Sequence, residues 1–144
     1  MVIIGEGDMR KELEETAGNL GIASRVRFAG GRKRTEKFYR LARLFVLPSL
    51  EEPFGQVFLE AMASRLPCLG LRNRAGLTRV ASEEIISDRR DGFIIEPDDP
   101  DQLAEKIDLL LNDNGLREKM GEAGRKKAVE RFSWDTHFDR VLNL

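Results

Sequence analysis

The sequence is poor in the residues that carry covalent and metal chemistry. It has one cysteine, Cys68, and one histidine, His137, in 144 residues. A single cysteine excludes an internal disulfide, and the apolar run around Cys68 predicts a buried strand rather than a reactive thiol. Because no cluster of cysteine and histidine is present, we predict neither a metal site nor a bound cofactor. His137 falls on the predicted terminal helix, where we expect a surface or packing role.

Long apolar runs and an excess of one charge are also missing. No stretch approaches the roughly 20 apolar residues that cross a bilayer, and the first five residues contain no basic leader. The net charge of -1 provides no overall field that would attract nucleic acid or an anionic membrane. We therefore expect a cytoplasmic protein that binds no nucleic acid and contacts a membrane at most peripherally.

Five short apolar runs alternate with helical patterns along the chain. They cover residues 2–4, 26–28, 44–47, 67–69 and 92–95. Strands alternating with helices at short intervals indicate βαβ units and a parallel sheet, and right-handed crossovers place helices on both faces. We predict a single domain, residues 1–144, with a Rossmann-like three-layer α/β fold of about five strands and a helical C-terminus.

Several local signals place the helices between and after these strands. Asp8 is a plausible N-cap for the first helix, and a short helix is expected near residues 77–81. Gly121 and Gly124 interrupt the apolar stripe of a late helix, and Ser133 is expected to cap the last one. Ligands of such sheets bind beyond the carboxyl ends of the strands, which points to the loops at residues 30–34 and 48–55.

Two glutamates flank a predicted helix start in the second of these loops. A helix start leaves backbone N–H groups unpaired and carries a partial positive charge, and Gly55 would let a phosphate approach these donors closely. Glu60 lies about one turn further on, where its carboxylate could accept two hydroxyls of a vicinal diol such as ribose. Glu52 precedes the helix and could hold hydroxyls of a second sugar. The segment therefore suits a sugar nucleotide.

A simpler interpretation of the same helix stays open. Gln56, Glu60 and Ser64 are spaced four residues apart and are also typical of the solvated face of an amphipathic helix. In that case Val57, Phe58, Ala61 and Met62 would pack inward, and Glu52 would be an ordinary loop acid.

The run Pro48-Ser49, Glu52-x-Phe54-Gly55 and Leu59-Glu60-Ala61-Met62-Ala63 resembles the donor-site signature of family-four glycosyltransferases, a pair of glutamates separated by seven residues. Five other landmarks of that family occur in the same order and span nearly the whole chain. They are Val2-Ile3-Ile4-Gly5-Glu6-Gly7, Val26-Arg27-Phe28-Ala29-Gly30, Leu66-Pro67-Cys68, Gly92-Phe93 and Arg131-Phe132-Ser133-Trp134. The resemblance implies the C-terminal, nucleotide-sugar-binding domain of a retaining enzyme of the GT-B fold.

The resemblance also implies roles for single residues. Glu52, the catalytic residue, would hold hydroxyls of the donor sugar, and Glu60 would bind the ribose. The implied donor-binding residues are Phe54, Gly55, Gln56, Val57, Glu60, Gly30 and Arg32. The first four would line the phosphates and sugar, whereas the loop with Gly30 and Arg32 would border the base; a solvated turn is the alternative for Arg32. The implied partners are an NDP-sugar as donor substrate and an N-terminal acceptor domain.

The chain departs from this family in three ways. It begins after a strand and loop whose arginine and lysine neutralise the donor diphosphate in the family. Because that strand is central in the family's sheet, the first and third strands here lose a shared neighbour, and two chains could associate through these edges. Arg72, Arg74 and Arg79 stand where the family has small residues that face the sugar. We expect the isolated chain to bind donors weakly and to transfer nothing.

Other interpretations remain beside this one. The chain could be a non-catalytic binding or assembly module derived from such an enzyme. It could also belong to a doubly wound sugar-nucleotide epimerase, or be a globular fragment with no function of its own.

Overall fold

The computed structural model describes residues 1–133 together with Thr136 and Leu142. The predictions on Trp134 and His137 lie outside these residues. The chain divides into two units, Met1–Thr35 and Glu36–Leu144, and each is described by itself. The single domain expected from the sequence stays a prediction.

Parallel strands and helices make up both units. The strands are β1 (Val2–Ile4), β2 (Arg27–Gly30), β3 (Phe45–Leu47), β4 (Glu51–Glu52), β5 (Cys68–Leu71), β6 (Arg79–Val80) and β7 (Gly92–Ile95). The α-helices are α1 (Arg10–Asn19), α2 (Glu36–Leu41), α3 (Gln56–Ala63), α4 (Ser82–Ile85), α5 (Pro100–Asn112) and α6 (Asn114–Phe132). Every pair of strands is parallel. The predicted α/β class is confirmed.

The first unit consists of one βαβ motif. β1 pairs with β2, and α1 connects them. The predicted cap at Asp8 is wrong: α1 begins at Arg10, its N-cap is Met9, and no side chain caps it. The reason is that the Gly5-Glu6-Gly7 turn extends one residue further, since the Arg10 N–H already bonds to the carbonyl of Gly7.

The second unit contains a three-stranded sheet in the order β3-β5-β7. The five predicted strands are therefore all present, but they form sheets of two and three strands. Within the described residues, β1 bonds only to β2 and β3 bonds only to β5, so each is an end strand.

Helices cover both faces of the three-stranded sheet. Side chains alternate along its strands, so Cys68 and Ile94 join one buried cluster whereas Leu69 and Phe93 join another. The first cluster includes residues of α3 and α4, and the second includes residues of α5. β5 and β7 are buried along their whole length, as expected for parallel strands that are covered on both faces. The three-layer arrangement is thus present in this unit.

One of the predicted short helices is wrong. Residues 79–80 form β6, and the helix begins later, at Ser82. The reason is a backbone pairing that periodicity does not reveal: the Arg79 N–H bonds to the Leu50 carbonyl at 2.7 Å. By contrast, the Ser133 hydroxyl oxygen accepts the Thr136 N–H at 3.2 Å, as predicted for a cap.

A buried ion pair attaches α6 to the segment before β7. Lys127 Nζ lies 2.7 Å from Asp91 Oδ2, and the Asp91 side chain is 1% exposed. Lys127 also donates to the Ile85 carbonyl at 2.6 Å, and Asp91 Oδ1 accepts the Ser87 N–H at 2.8 Å. Burial, reinforced by the nearby Asp91 charge, raises the pKa of the Cys68 thiol. Cys68 therefore stays protonated, and its predicted lack of reactivity is physically explained.

Two of the three glycines of α6, Gly121 and Gly124, are points of close approach rather than breaks in the helix. A Cβ on Gly121 would lie 2.2 Å from the Arg65 carbonyl oxygen, and one on Gly124 would lie 3.2 Å from Met62 Cγ. Both contacts are with α3 or with the residues that follow it, so α6 packs tightly against the helix that carries Glu60.

We expect Gly121→Ala to destabilise the fold by about 3 kcal/mol, because the added methyl group meets backbone that cannot rotate away. Chemical denaturation monitored by circular dichroism measures this change. Gly115→Ala in the same helix is the control, since its Cβ would meet only Asp113 Oδ1 at 3.5 Å. Equal stability of the two variants would contradict the close-packing argument.

Candidate donor-binding site

The backbone of Glu52 is held by a short strand pair. β4 pairs with β6 so that Glu52 lies opposite Val80, and the Ala81 N–H bonds to the Glu52 carbonyl at 3.0 Å. The loop that follows β3 is therefore fixed on both sides of Glu52 before α3 begins. Sequence reasoning missed this pairing because strands of two residues leave no periodic signal.

The Glu52 carboxylate bonds to the loop at the start of α3. Its Oε1 accepts the Gly55 N–H at 2.9 Å and the Phe54 N–H at 3.4 Å. These two N–H groups were expected to line the donor phosphates, and in this structure they bond to Glu52. Gln56 and Val57 are the first residues of α3, where N–H groups have no acceptor within the helix. Phosphate binding by Phe54, Gly55, Gln56 and Val57 stays a prediction.

Gly55 is required for a reason beyond ligand access. It has φ 66° and ψ 36°, in the left-handed region that side chains disfavour. A Cβ there would lie 2.8 Å from Phe58 Cδ2 and 3.2 Å from Ile85 Cδ1. The glycine thus permits both the sharp turn into α3 and the packing of Phe58 beneath it.

Glu60 lies on the second turn of α3 and is half-buried. Its Oε2 accepts a hydrogen bond from the Tyr39 hydroxyl at 3.0 Å. Tyr39 lies on α2 and is buried at 7% exposure. Sequence analysis did not identify Tyr39, although it is the only tyrosine in the chain and a buried tyrosine hydroxyl requires a partner.

The amphipathic interpretation of α3 is correct for its inner face. Phe58, Ala61 and Met62 have no exposure, and Gln56 is exposed. It does not account for Glu60, because a purely solvated glutamate would not be bonded to a buried tyrosine. α3 therefore presents a carboxylate with a fixed partner.

The arginines after β5 are engaged by carboxylates. Arg72 Nε lies 2.6 Å from Glu96 Oε1, and its Nη1 lies 2.7 Å from Glu83 Oε1. The hydrogen bond to Glu96 is the main cause of the raised pKa of Arg72. Arg74 forms an ion pair with Asp98 at 2.8 Å, and its hydrogen bond lowers the pKa of the Asp98 carboxyl group. These two arginines therefore secure the segment from β5 to α4.

The other two predicted donor residues belong to the first unit. Gly30 ends β2 with φ 70°, and its carbonyl accepts the Gly5 N–H at 3.1 Å. Glu6 Oε1 accepts the Gly31 N–H at 3.1 Å, so this side chain ties the turn after β1 to the loop after β2. Sequence analysis gave Glu6 no such role. The Arg32 side chain is exposed in this loop, and its role toward a base stays a prediction.

Two features are absent from the part of the chain that the structure describes. No group of three or more histidine, cysteine, aspartate or glutamate residues there is arranged to hold a metal ion. No helix there is long and apolar enough to span a membrane.

The sequence also matches a known protein family. Over residues 1–127 the chain matches the family described as glycosyl transferases, group 1. The chain belongs to this family.

Two curated relatives align with almost the whole chain. An uncharacterized glycosyltransferase of Methanocaldococcus jannaschii is 35% identical over 146 residues, which is 100% of this chain and 36% of the relative. The lipopolysaccharide core biosynthesis glycosyltransferase LpsE of Rhizobium meliloti is 31% identical over 142 residues, which is 99% of this chain and 40% of the relative. The chain thus spans well under half the length of these relatives.

A solved structure agrees with the fold. The Anabaena protein HepE, in complex with UDP-glucose, matches 99% of this chain and 39% of its own with a TM-score of 0.86 and 24% identity. At that identity the likeness shows the fold alone, which is that of GT-B glycosyltransferases.

We expect Gly55→Ala to destabilise the chain by about 2–4 kcal/mol, because a left-handed backbone and a contact with Phe58 both oppose the methyl group. Gly76→Ala is the matched control: Gly76 also has a positive φ, 79°, but no atom lies within 4 Å of its Cβ position. The difference between their denaturation midpoints measures the contact alone. If both variants lose the same stability, packing under α3 is not the reason for glycine at position 55.

Proposed function

We propose that this chain is the C-terminal, sugar-nucleotide-binding part of a family-four retaining glycosyltransferase that transfers a hexosyl group from an NDP-sugar to an acceptor. The observation that carries the proposal is the pair of carboxylates on one rigid segment. Glu52 precedes α3 and Glu60 lies on its second turn, and both have fixed hydrogen-bond partners. The start of α3 lies between them in sequence, where backbone N–H groups favour a phosphate.

The two carboxylates take different parts of the donor in this proposal. Glu60 accepts the 2′ and 3′ hydroxyls of the ribose, and Glu52 accepts hydroxyls of the sugar that is transferred. The N–H groups of Gln56 and Val57 bind the diphosphate, and Glu52 releases those of Phe54 and Gly55 when the donor enters. Gly30 and Arg32 border the base. The structure of HepE holds UDP-glucose, which favours UDP as the first nucleotide to test.

Transfer itself needs a second part of the enzyme. In the reaction, the bond between the anomeric carbon and the diphosphate oxygen breaks and the nucleoside diphosphate leaves with the bonding electrons. The acceptor hydroxyl oxygen bonds to that carbon with retained configuration, and the hydroxyl proton passes to the departing diphosphate. Among the described residues of the donor segment we find no nucleophile with an adjacent base. We therefore propose that an N-terminal domain supplies the acceptor, that this chain alone binds donors without transferring sugar, and that the enzyme works in the cytoplasm.

Titration with UDP tests the site. We expect binding in the millimolar range, because each charge-assisted hydrogen bond supplies only about 1.5–3 kcal/mol and no lysine or arginine is assigned to the diphosphate. Glu60→Ala should weaken binding about tenfold or more, as measured by NMR chemical-shift perturbation.

The matched control for this titration is Glu84→Ala. It removes the same charge from an exposed position on α4, so it controls for the general attraction of a diphosphate to the protein. If Glu60→Ala and Glu84→Ala bind UDP equally well, the site assignment is wrong. It is also wrong if the unmodified chain shows no binding at a UDP concentration of about 10 mM, which is about tenfold above a dissociation constant of about 1 mM. GDP and ADP, titrated in parallel, identify the preferred base.

The end strands favour a second candidate function, that of an assembly module. β1 and β3 each pair on one side only among the described residues, and Val2 and Ile4 of β1 are exposed apolar residues. An unpaired strand with apolar side chains is a template for another strand. We propose that two copies of this chain associate through these edges.

Sedimentation equilibrium measures this association directly. The Met1 carbonyl and the Gly5 N–H both bond to β2, so the alternation of the ladder turns the Val2 N–H toward the free edge of β1. We expect a dimer whose dissociation constant rises when Val2→Pro removes this backbone donor. A wild-type chain that stays monomeric at about 100 µM would contradict the proposal, since specific protein–protein interfaces of standard size usually bind more tightly than this.

A further inference from the structure

The hydrogen bond between Tyr39 and Glu60 links the helix α2 to the candidate ribose site. The phenol oxygen lies 3.0 Å from Glu60 Oε2, and the two residues are 21 positions apart in the chain. α2 and α3 are consecutive helices separated by β3 and β4, so this bond joins elements whose proximity depends on the fold. Tyr39 is the one tyrosine of the sequence.

Aromatic packing holds the Tyr39 side chain in place. Its ring meets the Phe45 ring edge to face, with centroids 5.8 Å apart and planes at 67°. Phe45 in turn meets Phe58 edge to face, with centroids 5.7 Å apart and planes at 87°. Phe58 belongs to α3, two residues before Glu60, and is fully buried. The tyrosine hydroxyl and the glutamate are therefore both fixed to the same packed unit.

A glutamate on a helix needs such a fixed partner if it is to receive a diol. Its side chain has three rotatable bonds, and two ribose hydroxyls accept only a narrow range of carboxylate orientations. A carboxylate has about four lone-pair positions, so one bond from Tyr39 is compatible with two more from hydroxyls. A donor that is itself held by packing fixes the carboxylate before the ligand arrives.

We propose that Tyr39 is a positioning residue of the donor site, whose hydroxyl holds the Glu60 carboxylate in the orientation that receives both ribose hydroxyls of a nucleoside diphosphate. This inference rests on the role proposed for Glu60. It extends that role by naming the residue that sets the orientation, and it predicts that the Tyr39–Glu60 pair makes the chain bind ribose nucleotides more tightly than deoxyribose nucleotides.

A purely structural role predicts different behaviour. If the bond served only to satisfy a buried hydroxyl, its loss would lower stability and affect every nucleotide alike. If the bond orients Glu60, its loss weakens the binding of UDP more than the binding of 2′-deoxy-UDP, because only UDP offers the second hydroxyl to the carboxylate.

Tyr39→Phe removes the hydroxyl and keeps the ring packing. UDP and 2′-deoxy-UDP are titrated against the full chain, Tyr39→Phe, Glu60→Ala and the double variant. We expect Tyr39→Phe to weaken UDP binding about 3- to 10-fold, as for the loss of one hydrogen bond to a charged group, and to affect 2′-deoxy-UDP by less than about 2-fold. In the Glu60→Ala background, Tyr39→Phe should have no further effect.

Ser82→Ala is the matched control. It removes another buried hydroxyl, on α4, and should leave the UDP to 2′-deoxy-UDP ratio unchanged. Thermal unfolding of each variant shows whether folding is affected, and the ratio of the two dissociation constants does not depend on the fraction of chain that is folded.

The outcomes separate this inference from the proposed function. If Glu60→Ala does not weaken UDP binding, or the chain binds no UDP, the proposed function fails and the positioning role fails with it. If Glu60→Ala weakens binding but Tyr39→Phe does not, the donor site stands and the positioning role is overturned. The role is also overturned if Tyr39→Phe weakens both nucleotides equally, or acts equally in the Glu60→Ala background.

Discussion

The position of Phe58 is the constraint on which the rest of the second unit depends. Its side chain is fully buried between the start of α3 and β5, and it fits only because two neighbours are glycines. A Cβ on Gly55 or on Gly70 would lie 2.8 Å from its ring. With Phe58 in place, the loop before α3 must turn through the left-handed region, which brings the Gly55 N–H to Glu52. The same ring supports Phe45, and through it Tyr39.

Sequence reasoning succeeded where the signal is local. The unalternating run at β7 identified its bounds, 92–95, and the chain's one cysteine was recognised as a buried strand residue. It failed where position depends on distant partners. The short helix expected near residues 77–81 is a strand because β4 pairs with it, and no periodicity reveals a two-residue strand. The bonds of Tyr39 to Glu60 and of Glu6 to Gly31 likewise join residues more than 20 positions apart, so spacing alone could not identify them.

The arginines after β5 illustrate why residue type does not determine a binding role. Arg72 and Arg74 follow β5 at the carboxyl end of a parallel strand, the edge of such a sheet at which ligands bind. In the structure, Arg72 bridges Glu83 and Glu96, and Arg74 bonds to Asp98. Because a phosphate would have to displace these carboxylates, it would gain little net charge compensation from either arginine. Their physical effect is to fix the segment that leads to β6, and through β6 the backbone of Glu52.

In the proposed donor site, these contacts would divide recognition into two parts of unequal strength. The carboxylates that would select hydroxyls are held by fixed partners, so the cost of orienting them has been met during folding. The diphosphate of the proposed donor, in contrast, would meet mainly the start of α3, whose partial charge of about one half cannot balance about two negative charges. The proposed site could therefore discriminate strongly between ligands that carry these hydroxyls and ligands that lack them, even though its affinity for the whole donor is low. A site of this kind would gain affinity from a cation supplied from outside the donor segment, because that cation would compensate the negative charge that the start of α3 leaves unbalanced.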